Sequence, residues 1–300
     1  MTTLRLPRGR LAFAAPLLLA ATVAAAQTPA FDSSKAWEHL RQQVAIGPRP
    51  AGSAGNVKNR DYIKAQLAAL GIKVVEQPFE GRTPLGPIKM VNLIATIPGK
   101  SPDRIILASH FDTKLFKEAR FVGASDGASS TAALIELGRV LKARKQLPFT
   151  YELLFLDGEE AVVEWQGTDN TYGSRHYVDH ARKNGTLKSI RALILLDMIG
   201  DRDLTIRRES NSTRWLTDIV WNAARKLGQR AFMDEETTVE DDHIPFLKAG
   251  VPALDIIDLD YPQWHTPQDT LDAVSARSLQ IVGDVVVASL PAIEAYLAKH

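Results

Sequence analysis

The run LLFL at residues 153–156 is short, wholly apolar and broken at once by Asp157-Gly158. Such a run reads as a strand buried on both faces, which requires a sheet covered by helices. Two adjacent glutamates, Glu159 and Glu160, follow the break. In open α/β sheets ligands bind outside the carboxyl ends of strands, so the pair stands where a site is expected. Neighbouring carboxylates repel. A metal ion relieves the conflict if one glutamate coordinates it and the other stays free to move protons. Taken alone, the pair fits a solvated turn equally well.

The pattern recurs along the chain. Apolar runs at 104–109, 192–196 and 252–257 read as further inner strands. They lead into His110-Phe111-Asp112, into Asp197, and into Tyr261-Pro262-Gln263-Trp264-His265. Asp126 opens a helix after Val122-Gly123-Ala124-Ser125. Helical periodicity predicts segments at 32–44, 57–70, 126–145, 172–183, 213–227, 243–249 and 275–299, the last kinked at Pro291. Strands at 72–79 and 89–97 form a hairpin with its turn inside 80–87, and 204–207 is expected to extend a sheet edge. Strands and helices alternate without a linker or repeat. The expected fold is therefore α/β, a single domain over 27–300 with a mixed, mostly parallel twisted sheet and helices on both faces.

The N-terminus reads separately. Arg5, Arg8 and Arg10 precede an apolar stretch at 11–26 that ends in Ala24-Ala25-Ala26, the layout of a signal peptide over residues 1–26. The stretch is short for an uncleaved anchor and is interrupted by Pro16. An exported protein, periplasmic or secreted, is expected. Cleavage would remove three arginines and no acid from 36 basic and 35 acidic residues, leaving a net charge of about −2. That balance gives no reason to expect nucleic acid or stable membrane association as partners.

Each polar strand end has a plain account, since acids cap elements and a lone histidine is usually a surface or core residue. That account does not explain why five such groups should meet at one sheet edge. The chain has no cysteine, so any metal must be held by His, Asp and Glu, the donor set of catalytic zinc.

Five motifs then occur in a familiar order. They are Gly123-Ala124-Ser125-Asp126-Gly127-Ala128, Asp157-Gly158-Glu159-Glu160-Ala161, Leu196-Asp197-Met198-Ile199-Gly200, Asp241-Asp242-His243-Ile244-Pro245-Phe246 and Trp264-His265-Thr266. Together they resemble the glutaminyl-peptide cyclotransferases, a branch of the zinc aminopeptidase-like family. The likeness runs from the GPRPAGSAGN loop after Ile46 to about Asp269. It implies one zinc per chain on Asp126, Glu160 and His265, with Glu159 as the proton-shuttling acid and base. It also implies a carboxylate network of Asp197 and Asp241 beside the leaving amide. Trp165, Tyr261 and Trp264 would wall the substrate pocket, with His243 as a further substrate-binding residue. The implied substrates are peptides or proteins with N-terminal glutamine, closed to pyroglutamate with release of ammonia. Three protein ligands would leave a fourth zinc position for the γ-carbonyl oxygen.

The chain departs from the animal pattern at Asp255, where those enzymes have histidine, and at Tyr261, where phenylalanine is usual. Tyr261 is expected to add a hydroxyl to the pocket rim; no role is assigned to Asp255. A zinc aminopeptidase with two metals remains the alternative, because His110, Asp126, Glu160, Asp197 and His265 supply its five ligands. Trp165 and Trp264 favour the cyclase, since indoles leave less room for a second metal and its water. A non-catalytic binding protein would require loss of Glu159 or a ligand, and none is missing.

Overall fold

The computed structural model describes residues 1–4 and 30–300. The expected signal peptide at 1–26 lies almost wholly outside the described residues.

Ser33–Ile46 (α1) starts at Asp32, whose side chain accepts from the Ser34 N–H, and Ala54–Ala69 (α2) starts at the Ser53 cap. A hairpin follows, Val74–Thr83 (β1) and Gly86–Ile97 (β2), paired out to Thr83↔Gly86. The remaining order is Ser101–His110 (β3), Ala128–Ala143 (α3), Phe149–Leu156 (β4), Tyr172–Lys183 (α4) and Ile190–Asp197 (β5). Then come Ile206–Glu209 (β6), Arg214–Lys226 (α5), Phe232–Thr237 (β7), His243–Lys248 (α6), Ala253–Ile257 (β8) and Ala276–Leu297 (α7). Helix α7 runs unbroken through Pro291.

Six strands form one sheet in the order β1-β2-β4-β3-β5-β8. The pairs β1–β2 and β2–β4 are antiparallel; β4–β3, β3–β5 and β5–β8 are parallel. The sheet is thus mixed and mostly parallel, as expected. The expectation at 204–207 needs correction. Ile206–Glu209 pairs with β7 in a separate two-stranded sheet instead of extending the main one.

Alternate strand residues face opposite cores. Tyr151, Leu153 and Phe155 of β4, with Ile105 and Leu107 of β3, pack with residues of α1, α2, α3, α5 and α7. Leu154, Leu156, Ile106 and Ala108 pack with Tyr177 and Val178 of α4 and Phe246 of α6. Helix α7 is long and apolar enough to cross a membrane by composition, yet its Val282, Val285, Val286 and Ile293 belong to the first core. At its end, the Leu297 carbonyl accepts from Arg191, near the amino end of β5, at 3.4 Å.

Connection order fixes where a site can form. From β3 the chain crosses through α3 to β4 on one side, then through α4 back past β3 to β5 on the other. The strand order reverses around β3, and the loops leaving these strands diverge there, opening a crevice at the carboxyl ends.

A buried arginine braces that end. Arg49 is fully buried and donates to the carbonyls of Gln43, Gly47, Phe111, Val122 and Gly123 at 2.7–3.4 Å. Burial lowers its pKa to about 10, against the pull of Asp269, Asp126 and Asp112. Arg49→Met would take this donor from the Gln43, Gly47 and Val122 carbonyls and leave those of Phe111 and Gly123 with only the Asn59 side chain and the Ala128 N–H. It is expected to destabilise the fold by about 3–5 kcal/mol, measured by denaturant unfolding.

Candidate active site

The site is built from loops leaving β3, β4, β5 and β8. His110 ends β3 and Asp197 ends β5, and His110 Nε2 lies 3.0 Å from Asp197 Oδ1. Asp126 stands in the turn before α3, 3.3 Å from His110 Nε2 through Oδ1 and 3.3 Å from His265 Nε2 through Oδ2. Gly127 permits this approach. Its φ is +87°, and a Cβ there would lie 2.6 Å from the Asp112 carbonyl oxygen. Glu160 Oε2 is 3.3 Å from the same nitrogen of His265. Asp126, Glu160 and His265 thus converge, as do His110, Asp126 and Asp197, with Asp126 common to both groups.

Buried groups hold these side chains in place. Asp112 accepts from the N–H groups of Glu159 and Glu160 at 3.2 and 3.4 Å, tying β3's exit loop to the glutamate turn. Asp269 accepts from the N–H groups of Ser125 and Asp126 at 2.8 and 3.1 Å. His265 has a left-handed backbone, φ 53°, sparsely populated by non-glycine residues but more accessible to histidine than to most. Trp264 lies against its ring with centroids 4.4 Å apart, and Phe116 and Phe121 meet it in T-shaped contacts. Neither phenylalanine nor Asp269 was signalled by the sequence, and Asp112 was read only as part of the polar end of β3. Their partners lie far away in the chain.

A cavity of about 580 Å³ opens over these groups, lined by Asp126, Glu159, Glu160, Asp197, Asp241 and His265, with Trp165 and Trp264 on its walls. The loop carrying Trp165 is pinned by Asp169, whose carboxylate accepts from the N–H groups of Val162, Val163 and Glu164 at 2.8–3.0 Å. Two residues expected around the substrate are not on the cavity wall. Tyr261 is buried and donates to Asp269 Oδ1 at 2.6 Å, so its hydroxyl supports the Asp126 turn instead of the pocket rim. His243 is fully buried behind Asp241, with Nε2 3.1 Å from Glu209. Both adjoin site residues in sequence, but their side chains face the interior. Tyr261→Phe is expected to leave the KM of the substrate unchanged and to weaken metal binding about tenfold, read by zinc titration.

Crowded carboxylates set the electrostatics. Burial, followed by the charges of Asp241, Glu160 and Asp242, keeps Glu159 well above the usual carboxyl range, although His110 opposes this. Burial and Asp126 raise Glu160 to about 7. Burial would lower His110, but Asp197, with Asp112 and Asp126, raises it well above its ordinary value. Among the described residues, Asp126 Oδ2 and both Glu160 oxygens are buried without a hydrogen-bond donor. Unpaired buried acceptors facing a histidine nitrogen are costly unless a cation joins them, so the donor set fits a metal.

A family model, Peptidase family M28, matches residues 92–290. The chain belongs to this family. A mouse glutaminyl-peptide cyclotransferase-like protein is 35% identical over 269 residues, covering 80% of this chain and 70% of its own length. The crystal structure of an Acidobacteriales bacterium glutaminyl cyclase superposes with a TM-score of 0.86 at 41% identity, covering 95% of this chain and all of that one. A leucine aminopeptidase precursor from Bacteroides thetaiotaomicron VPI-5482 has the same fold, with a TM-score of 0.80 at 28% identity over 87% of this chain and 97% of its own. Within family M28 the chain falls in the glutaminyl-peptide cyclotransferase branch and is an enzyme.

Proposed function

We propose that this enzyme closes N-terminal glutamine of peptides or proteins into pyroglutamate, using one zinc ion held by Asp126, Glu160 and His265. The observation that carries the metal count is the contrast between the two convergent groups. Around His265 the acceptors Asp126 Oδ2, Glu160 Oε1 and Glu160 Oε2 lack donors. In the other group Asp197 Oδ1 already takes the Met198 N–H at 2.8 Å and faces His110 Nε2 at 3.0 Å. In the first group the carboxylate oxygens are open to a metal, with only the Lys114 ammonium nearby, 3.8 Å from Glu160 Oε2; in the second, Asp197 Oδ1 is already engaged, while His110 Nδ1 has no partner among the described residues.

A bound zinc supplies Lewis-acid polarisation of the γ-carbonyl. The chain does the rest. Trp165 and Trp264 hold the glutamine side chain curled against the cavity wall so that its α-amine nitrogen meets the γ-carbon in a near-attack geometry. Glu159 accepts a proton from the attacking amine and delivers it to the departing nitrogen, so the new C–N bond forms, the old one breaks and ammonia leaves. A carboxyl group held above its usual range by burial gives up a captured proton less readily than a free one, which suits a shuttle. Asp197 and Asp241 line the cavity beside this path and offer acceptors to the leaving group.

A second reading, the dinuclear aminopeptidase, is favoured by the convergence of His110, Asp126 and Asp197 and by the likeness to the leucine aminopeptidase precursor. One experiment separates the two: zinc per chain and product identity on a single Gln-Xaa peptide. The proposal expects about one zinc and ammonia, with the peptide keeping its length. Two zinc ions with free glutamine and a shortened peptide would overturn it. Export through a cleaved leader at 1–26 completes the proposal, and the N-terminal residue of the exported protein tests it.

A further inference from the structure

Behind the cavity wall lies a second group of buried ionisable side chains. Asp241 lines the cavity, whereas His243 and Asp255 are fully buried behind it. One oxygen of each aspartate and a ring nitrogen of His243 lie within 4.8 Å of one another. His243 is held from its far side by Glu209, which also accepts from the N–H groups of Asn211, Ser212 and Val239 and from the Ser212 hydroxyl. Burial opposes the charge on Glu209, but hydrogen bonds from His243, Asn211 and Ser212 bring it down to about 2, so it stays an anion.

Asp255 has no such donors. Both of its oxygens are buried without a hydrogen-bond partner among the described residues, and His243 Nδ1, at 3.6 Å, is beyond hydrogen-bond reach. Asp241 is in a similar state: Oδ1 takes the Asp242 N–H, and Oδ2 has no donor. An ionised Asp255 would face the charges of Asp241, Asp197 and Glu209, an arrangement that a low-dielectric interior penalises. A single proton shared between the two aspartates joins Asp241 Oδ2 to one Asp255 oxygen, pairing two of the three orphaned oxygens.

We propose that Asp255 is a positioning residue that stands behind Asp241 as the neutral acid and donates a hydrogen bond to its carboxylate, fixing which Asp241 oxygen faces the cavity. This deepens the cyclase reading, on which it rests, because Asp241 then presents a fixed acceptor to the departing ammonia. Burial, then the charges of Asp241, Asp197 and Glu209, push the Asp255 carboxyl well above the usual range, in the same direction. A cation could balance the same charges, but of the three side chains only Asp241 reaches the cavity.

The test compares Asp255→Asn with Asp255→Leu in the full chain. Asparagine is a permanent donor that cannot ionise; leucine donates nothing. Asp255→Asn is expected to keep its zinc and a kcat within about threefold of the parent, whereas Asp255→Leu loses about 10–100-fold in kcat with KM little changed. Stability gives an independent readout. A carboxyl whose folded pKa is raised stabilises most below its unfolded value and loses that contribution as pH rises through the folded one. Asp255→Asn should therefore be at least as thermally stable as the parent at neutral pH, with its advantage growing as pH rises toward the folded value. Equal impairment of both variants would overturn the proposal, as would loss of metal or of stability in Asp255→Asn. If the leucine variant does not fold, the asparagine variant decides alone. If the parent makes no pyroglutamate, the cyclase reading fails, while the metal and stability results still judge Asp255.

Discussion

Replacing Glu159 with glutamine is expected to lower kcat by about 10³–10⁴-fold with bound metal unchanged. Glutamine has nearly the same shape, so the turn that Asp112 holds through the Glu159 and Glu160 N–H groups is preserved. What is lost is a group able to take a proton and return it. KM should change far less than kcat, because Glu159 is assigned to proton transfer and not to ground-state binding. Steady-state kinetics with metal analysis on the same sample checks this. A Glu159→Gln enzyme of near-parental activity would remove Glu159 from the proton path.

Asp126→Ala is expected to have an effect at least as large by a different route. Asp126 is the one residue common to both convergent groups, one oxygen toward His110 and the other toward His265. Without it neither group can hold a metal firmly, and activity should disappear together with zinc. Because a ligand bound only to the folded state raises stability in proportion to ln(1 + [L]/Kd), chelation should lower the parent's Tm and leave that of Asp126→Ala unmoved. Asp197→Asn is the companion measurement. It should keep its single zinc if the enzyme is mononuclear, and lose one of two if it is dinuclear.

The inner strands were legible because β3, β4 and β5 carry the unbroken apolar runs 105–108, 153–156 and 192–196, and β8 a run broken only at Asp255; such runs have few alternatives to a covered sheet. Knowing where those runs stop also places His110, Glu159, Glu160 and Asp197. Strand β7 went unpredicted because only Phe232 in it is buried; the four residues after it are exposed and carry no apolar alternation. Tyr261 and His243 show a second limit. Their neighbours in sequence reach the cavity, but the direction of a side chain within a turn has no period to read. Tyr261 turns to Asp269 and His243 to Glu209, contacts that depend on how distant segments pack.

The bond from Arg191 to the Leu297 carbonyl places the last turn of α7 beside the amino end of β5. Asp197 closes the same strand six residues on, a span of about 20 Å at roughly 3.3 Å per residue. A fusion partner, resin or cell-surface tether joined after His300 would therefore leave from the pole opposite the mouth of the cavity. Tethering the enzyme by its tail would keep that mouth open to long polypeptides.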